Sequence, residues 1–362
     1  MSAKKWVGIW FVITIFSIFG VAASNYYIDS LGLISKNSYL DKAAQELANG
    51  KIVAGLKNFN ERIFRKKIIE NIKNPPEWIA LGSSRIMQLR KRFFIDNNQT
   101  FQNLAVSGAS LEDYLALIQV YKNHFKSLPK NIIFGIDPWV FNKYSGQNRY
   151  LSIYDEYNQF MNILGFASKK SEKGKFYIYK KLFSIEYFKE NIKFIAKTIG
   201  KGFKGFYITN SLDTDDYLRE PDGSIQYPYK IRYPNKEQVI KKAIAYGKPP
   251  VYSLYNFQHL YNIAIFEKLI NYLLEHNVRI YFYLPPYNPL AYNNIIKNYP
   301  IIAKIEHYLK NFANEHNITV IGSYNPYDIN LTIDDFFDDM HTLDSAYIKL
   351  FSHLKNNKVD KK

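Results

Sequence analysis

Trp78-Ile79-Ala80-Leu81-Gly82-Ser83-Ser84-Arg85 reads as a short buried strand ending in a Gly-Ser-Ser turn. Four apolar residues in a row suit a strand covered on both faces. Glycine permits the tight turn, and a serine behind it stands where a helix N-cap or a nucleophile would stand. Taken alone, capping is the simpler role for Ser84. Near the far end, Asp338-Asp339-Met340-His341 sets a carboxylate and an imidazole three residues apart. The two stretches together hold a serine hydroxyl, a base and an acid to orient that base. An acyl-transferring or ester-cleaving enzyme is the expectation.

Outward from Trp78, short β-branched or apolar runs alternate with longer helical patterns, as in a parallel sheet covered by helices. The candidate strands are Trp78 to Leu81, Phe101 to Val106, Asn131 to Ile136, Arg279 to Leu284 and Ile318 to Ile321. The expected fold is therefore α/β: a three-layer sandwich on a central parallel sheet of about five strands. Ser110 with Asp113 forms a capping box for one helix, and Pro300 suits the first turn of another. Leu343, Ala346, Tyr347, Leu350, Phe351 and Leu354 keep helical spacing, so His341 precedes a helix anchored in the core. Residues 25–76 read as a mostly helical lead-in and 77–355 as the α/β domain. Within that domain the alternation breaks down over 141–250, which reads as an insertion above the sheet's carboxyl edge. Its Asp222-Gly223 predicts a hairpin turn.

A chain of 362 residues with 31 Tyr and 26 Phe is long and apolar enough for one large core with an added lobe. It contains no cysteine, which excludes thiol nucleophiles, cysteine-ligated zinc and disulfides. The net charge of +16 is spread widely, except that Lys169 to Lys204 holds eleven lysines against three glutamates. That stretch is either a solvated basic face or a surface turned toward anionic polymer or lipid headgroups.

Lys4 and Lys5 precede the uncharged stretch Trp6 to Ala23, whose eighteen residues reach about the thickness of a hydrocarbon layer. Residues 1–24 thus read as a transmembrane anchor, with Val21-Ala22-Ala23-Ser24 as the competing signal-peptide cleavage site. Basic residues before the span keep that end in the cytoplasm. The remainder is then expected outside the inner membrane, on the periplasmic side, so no nucleic-acid partner is expected.

Functional groups of open α/β sheets collect on loops at the carboxyl ends of strands. Ser84, Gly108, Asp137 and the Asp338–His341 pair all follow this placement in the element reading. Here the chain resembles the SGNH hydrolase superfamily, in particular its membrane-anchored extracytoplasmic branch of alginate and peptidoglycan O-acetyltransferases and the teichoic-acid D-alanylation protein. Gly82-Ser83-Ser84 matches the first block, which implies Ser84 as nucleophile. Gly108 in Asn103-Leu104-Ala105-Val106-Ser107-Gly108 matches the second and implies a backbone oxyanion donor. Asp338 and His341 match the last block and imply orienting acid and general base.

The third block departs from the family. Gly135-Ile136-Asp137 carries an aspartate where the family's asparagine would donate to the oxyanion. Losing one such donor slows turnover about a hundred- to a thousandfold. Either the backbone N–H groups of Ser84 and Gly108 suffice, or turnover is slow, and Asp137 positions substrate or binds a neighbouring basic group. Arg85 is read as a surface ion-pair residue or a contact for an anionic acceptor. The resemblance implies transfer or removal of an acyl group, most often acetyl, on a cell-envelope polysaccharide or peptidoglycan, with a membrane-bound O-acyltransferase as partner. The rival reading is a catalytically silent glycan-binding or scaffold protein that kept the fold. No cofactor is expected, and no metal, since the acidic run Asp334 to Asp339 lacks the spacing of a calcium loop.

Overall fold

The computed structural model describes residues 2–34, 39–57, 59–95, 98–166, 173–201, 205–248 and 251–356. The chain begins with α1 (Ala3–Ile28), α2 (Tyr39–Ala48), β1 (Ile52–Ala54) and α3 (Glu61–Asn71). β2 (Trp78–Gly82), α4 (Lys91–Phe94), β3 (Phe101–Asn103), α5 (Leu111–Phe125) and β4 (Asn131–Gly135) open the α/β unit. The intervening lobe carries α6 (Tyr154–Ile163), α7 (Lys173–Leu182), α8 (Ile185–Lys201), β5 (Tyr207–Thr209), β6 (Leu218–Arg219), β7 (Ile225–Gln226), α9 (Tyr229–Arg232) and α10 (Lys236–Ala245). α11 (Ile263–Glu275), β8 (Arg279–Leu284), α12 (Pro289–Asn298), α13 (Ile301–Glu315), β9 (Thr319–Gly322) and α14 (Asp344–Phe351) complete the core.

The fold is α/β, a three-layer sandwich on a five-stranded sheet in the order β3-β2-β4-β8-β9, with every neighbouring pair parallel. Strand periodicity divides the core. Ile79, Leu81, Ile132, Phe134, Ile280 and Phe282 point to the side covered by α5, α11 and α13. Trp78, Ala80, Ile133, Tyr281 and Tyr283 point to the other side, where Phe93 and Phe94 of α4 meet Tyr347 and Phe351 of α14. The capping box of Ser110 and Asp113 starts α5, and Pro300 is the N-cap of α13. Strand order reverses at β2, because β3 lies on one side of it and β4 on the other. Such a reversal opens a crevice at the carboxyl ends of the two central strands.

Three elements differ from the sequence expectation. Strand β3, expected to reach Val106, ends at Asn103, although the N–H groups of Leu104 and Val106 still bond to Ala80 and Gly82 of β2. The lead-in is not only helical, because β1 joins β5, β6 and β7 in a second, antiparallel sheet. The expected Asp222-Gly223 hairpin forms there, with Gly223 at φ 78°. Rather than lying only above the sheet edge, the lobe packs α7 and α8 against the end of α1. α1 is long and apolar enough to cross a membrane, and its residues up to Gly20 are exposed.

Candidate active site

Gly82 ends β2 at φ 153°, and a Cβ there would lie 2.6 Å from Ile86 and 2.8 Å from the Gly135 carbonyl. Only glycine lets β2 and β4 run this close at the crevice. The following turn is not a helix, so Ser84 caps nothing; α4 begins only at Lys91. Ser83 turns inward, its Oγ accepting the Arg85 N–H at 3.1 Å. Between Leu81 and Arg90, Ser84 alone is not buried.

His341 Nε2 lies 2.9 Å from Ser84 Oγ. Its Nδ1 lies 2.8 Å from Asp338 Oδ2, with Asp338 and His341 side chains 18% and 17% exposed. Asp338 Oδ1 also accepts the N–H groups of Met340 at 2.9 Å and His341 at 2.7 Å. Burial raises the Asp338 pKa, but His341 and these hydrogen bonds outweigh it and leave the carboxyl below its ordinary value. The loop closes through Phe337 N–H to the His341 carbonyl, and the Phe337 ring stacks on the imidazole at 5.6 Å. Tyr227, from the inserted lobe, lies 6.0 Å from the same ring. Hydroxyl, imidazole and carboxylate thus form one hydrogen-bonded line across the crevice.

Arg85 is not a surface residue. It is 1% exposed, and its Nη1 donates to Asp137 Oδ1 at 2.9 Å. Its Nη2 donates to the Pro285 carbonyl at 2.5 Å, its Nε to the Met340 carbonyl at 3.2 Å, and its guanidinium lies 4.0 Å over the Tyr287 ring. Burial disfavours the Arg85 cation, yet Tyr287 and Asp137 hold its pKa above the ordinary value. Burial also pushes the Asp137 carboxyl up, against the pull of Arg85. Asp137 binds a neighbouring basic group, so the carboxylate at the asparagine position carries its own counter-ion. Its Oδ2 is buried, and the Ser83 hydroxyl beside the carboxyl pulls its pKa in the same direction as Arg85.

Gly108 lies two residues past Val106, whose N–H bonds to Gly82, and so borders the β2 end. Its φ of 53° and the closeness of Arg149 and Gln147 require glycine. No hydrogen bond joins it to the triad, and the N–H groups of Ser84 and Gly108 have no acceptor among the described residues.

Several positioning residues escape a sequence reading. Asn103 donates to the carbonyls of Ile86, Met87 and Leu89 at 2.9, 3.3 and 3.1 Å, holding the turn behind Ser84. Tyr347 donates to the Arg85 carbonyl and Gln88 to that of Thr342. Asn288 donates through its side chain to Asp338 O and through its backbone to Asp339 O. Elsewhere in the acidic run, Asp334 pairs with Lys236 at 2.7 Å and Asp335 caps its own turn with Thr332.

A family described as protein of unknown function, DUF1574, matches residues 50–357. The chain belongs to that family. The match takes in both sheets and every residue of the Ser84–His341–Asp338 line. No curated protein matches the chain.

Proposed function

We propose that the protein is a membrane-anchored serine acyltransferase or esterase of the SGNH type. Its substrate would be an acyl group, most often acetyl, on a cell-envelope polysaccharide or peptidoglycan outside the cytoplasmic membrane. The observation that carries this reading is the continuous hydrogen-bonded line from Ser84 through His341 to Asp338. The Lys4-Lys5 pair in the first turn of α1, ahead of its apolar stretch, supports the extracytoplasmic placement.

In this mechanism Ser84 Oγ attacks the acyl carbonyl while His341 Nε2 takes the hydroxyl proton, and Asp338 stabilises the imidazolium. The Ser84 and Gly108 N–H groups receive the oxyanion. Collapse breaks the ester bond to the leaving alcohol, which recovers the proton from His341. Water or a sugar hydroxyl then attacks the acyl-serine, giving up its proton to His341; the Ser84–acyl bond breaks, His341 returns the proton to Ser84 Oγ, and acid or acylated glycan is released. Tyr227 of the inserted lobe, partly exposed beside His341, would offer an aromatic ring to a sugar acceptor. For transfer, a membrane-bound O-acyltransferase would bring the acyl group across the membrane.

The Asp137 carboxylate favours a second reading, a silent glycan-binding scaffold, because paired with Arg85 it accepts hydrogen bonds and has no N–H to donate to an oxyanion. Incubating the full-length protein with an acetyl ester separates the two. The enzyme reading expects an acetyl group on Ser84, passed to water or to an added oligosaccharide and missing in Ser84→Ala. The scaffold reading expects no acetylated protein and unaltered glycan binding.

A further inference from the structure

Asn25 lies twenty residues after Lys5. At helical rise that is about 30 Å along α1, the thickness of a hydrocarbon layer. With Lys4 and Lys5 at one headgroup layer, Asn25 therefore reaches the other. Its side-chain amide donates to the carbonyls of Lys181, Leu182 and Ser184 at 3.3, 2.8 and 3.0 Å. Asn191 of α8 donates to Asn25 Oδ1 at 3.0 Å, and Tyr187 donates to Asp29 at 2.5 Å. The turn between α7 and α8 is thereby fixed at headgroup depth.

This turn is one wall of an open cavity of about 1460 Å³, lined elsewhere by the start of α3, Ser107 and the turn at Arg149–Leu151. On the α7–α8 wall, Phe176, Phe183 and Ile185 are 67%, 51% and 58% exposed. Leu31, Phe59 and Leu151 also line the cavity, and Lys180 and Lys181 bring positive charge to the same wall. Glu186 and Glu61 line it too, the latter paired with Arg219 at 3.0 Å. Exposed aromatic and aliphatic side chains on this scale mark an apolar partner. At this depth the apolar medium is the bilayer, and cations at its surface attract anionic headgroups. Of the lysine-rich stretch, Lys169, Lys170 and Lys204 lie outside the described residues.

We propose that this cavity is a lipid site, which takes an anionic phospholipid from the bilayer crossed by α1. Its acyl chains lie against Phe176, Phe183, Ile185 and Leu151, and its phosphate lies against Lys180 and Lys181. The site rests on α1 crossing the membrane and is independent of the Ser84 chemistry.

The absence of native cysteine allows a single fluorophore to be placed by Phe183→Cys, Leu151→Cys or, as a control outside the cavity, Tyr327→Cys. The full-length protein is placed in nanodiscs of phosphatidylglycerol or phosphatidylcholine that contain lipid with a nitroxide on its acyl chain. The lipid site predicts severalfold quenching at positions 183 and 151 in phosphatidylglycerol, weaker quenching in phosphatidylcholine, and none at 327. Lys180→Glu with Lys181→Glu removes the preference for phosphatidylglycerol. Quenching at 183 alone would mean that only the hairpin touches the bilayer and would overturn a filled cavity. Equal quenching in the two lipids would overturn the anionic headgroup.

Discussion

The carboxyl edge of the parallel sheet and the junction of α1 with α7 and α8 both join segments far apart in the chain: Ser84 meets His341 across 257 positions, and Asn25 meets Leu182 across 157. Their chemistry differs. At the junction, amides and a tyrosine hydroxyl satisfy carbonyls and one aspartate, and Asn25 and Asn191 are fully buried. At the sheet edge the bonded groups are an imidazole, a carboxylate and a hydroxyl that stays partly open to solvent. The junction uses polar groups to fix a shape, whereas the edge holds one partly exposed serine with its hydroxyl against an imidazole that can accept its proton. Hydrogen bonding between distant segments is therefore no sign of catalysis by itself. The residue types and the remaining exposure separate the two.

The largest effects should fall at the edge. Ser84→Ala and His341→Ala are expected to lower ester turnover by on the order of 10⁴- to 10⁶-fold, and Asp338→Asn by on the order of 10⁴-fold, with folding intact by circular dichroism. Loss of only a few-fold in Ser84→Ala would remove the distinction from the junction. Arg85→Met comes next. It strands the Asp137 carboxylate in the core, so denaturant unfolding should show a loss of about 3–5 kcal/mol. Adding Asp137→Leu should restore most of that loss, and simple additivity of the two changes would mean that the ion pair is not coupled.

Asn25→Ala removes three carbonyl partners at the junction and should destabilise the protein by about 1–3 kcal/mol while leaving Ser84 reactivity unchanged. A parallel fall in reactivity would show that the two regions are coupled. The smallest effect concerns Asp339, whose pKa burial and then Asp338 push up to about 6. A carboxyl raised on folding stabilises most below its unfolded value of about 4, and that contribution is lost as pH rises through about 6. Asp339→Asn should therefore flatten the pH dependence of the melting temperature in this window and stabilise the protein at neutral pH by up to about 2 kcal/mol. An unchanged pH profile would place the titration on another group.

The parallel sheet was legible because four of its five strands are largely apolar runs of four to six residues with a turn signal adjacent, so local pattern and tertiary role agree. Of the second sheet only the β6–β7 hairpin was, through its Asp222-Gly223 turn. β1, β6 and β7 are two or three residues long, and Val53 finds its partners at Ile208 and Arg219. No periodicity develops over so few positions. Ser84, Asp338 and His341 could be picked out because few residue types perform acyl chemistry, and they meet as their types suggested. Arg85 could not be placed, since an arginine is ordinarily exposed and only the convergence of Asp137, Pro285, Met340 and Tyr287 makes its burial tolerable. Asn103 and Asn288 were illegible for the same reason, as their partners are backbone carbonyls that carry no sequence signature.

The central claim is that the Ser84 hydroxyl is activated by His341. Treating the full-length protein with a fluorophosphonate and mapping the adduct by peptide mass spectrometry addresses it directly. The expected result is one modified peptide carrying the adduct on Ser84, lost in Ser84→Ala and strongly slowed in His341→Ala. An unmodified Ser84 under conditions that label a known serine esterase, or equal labelling with and without His341, would contradict it.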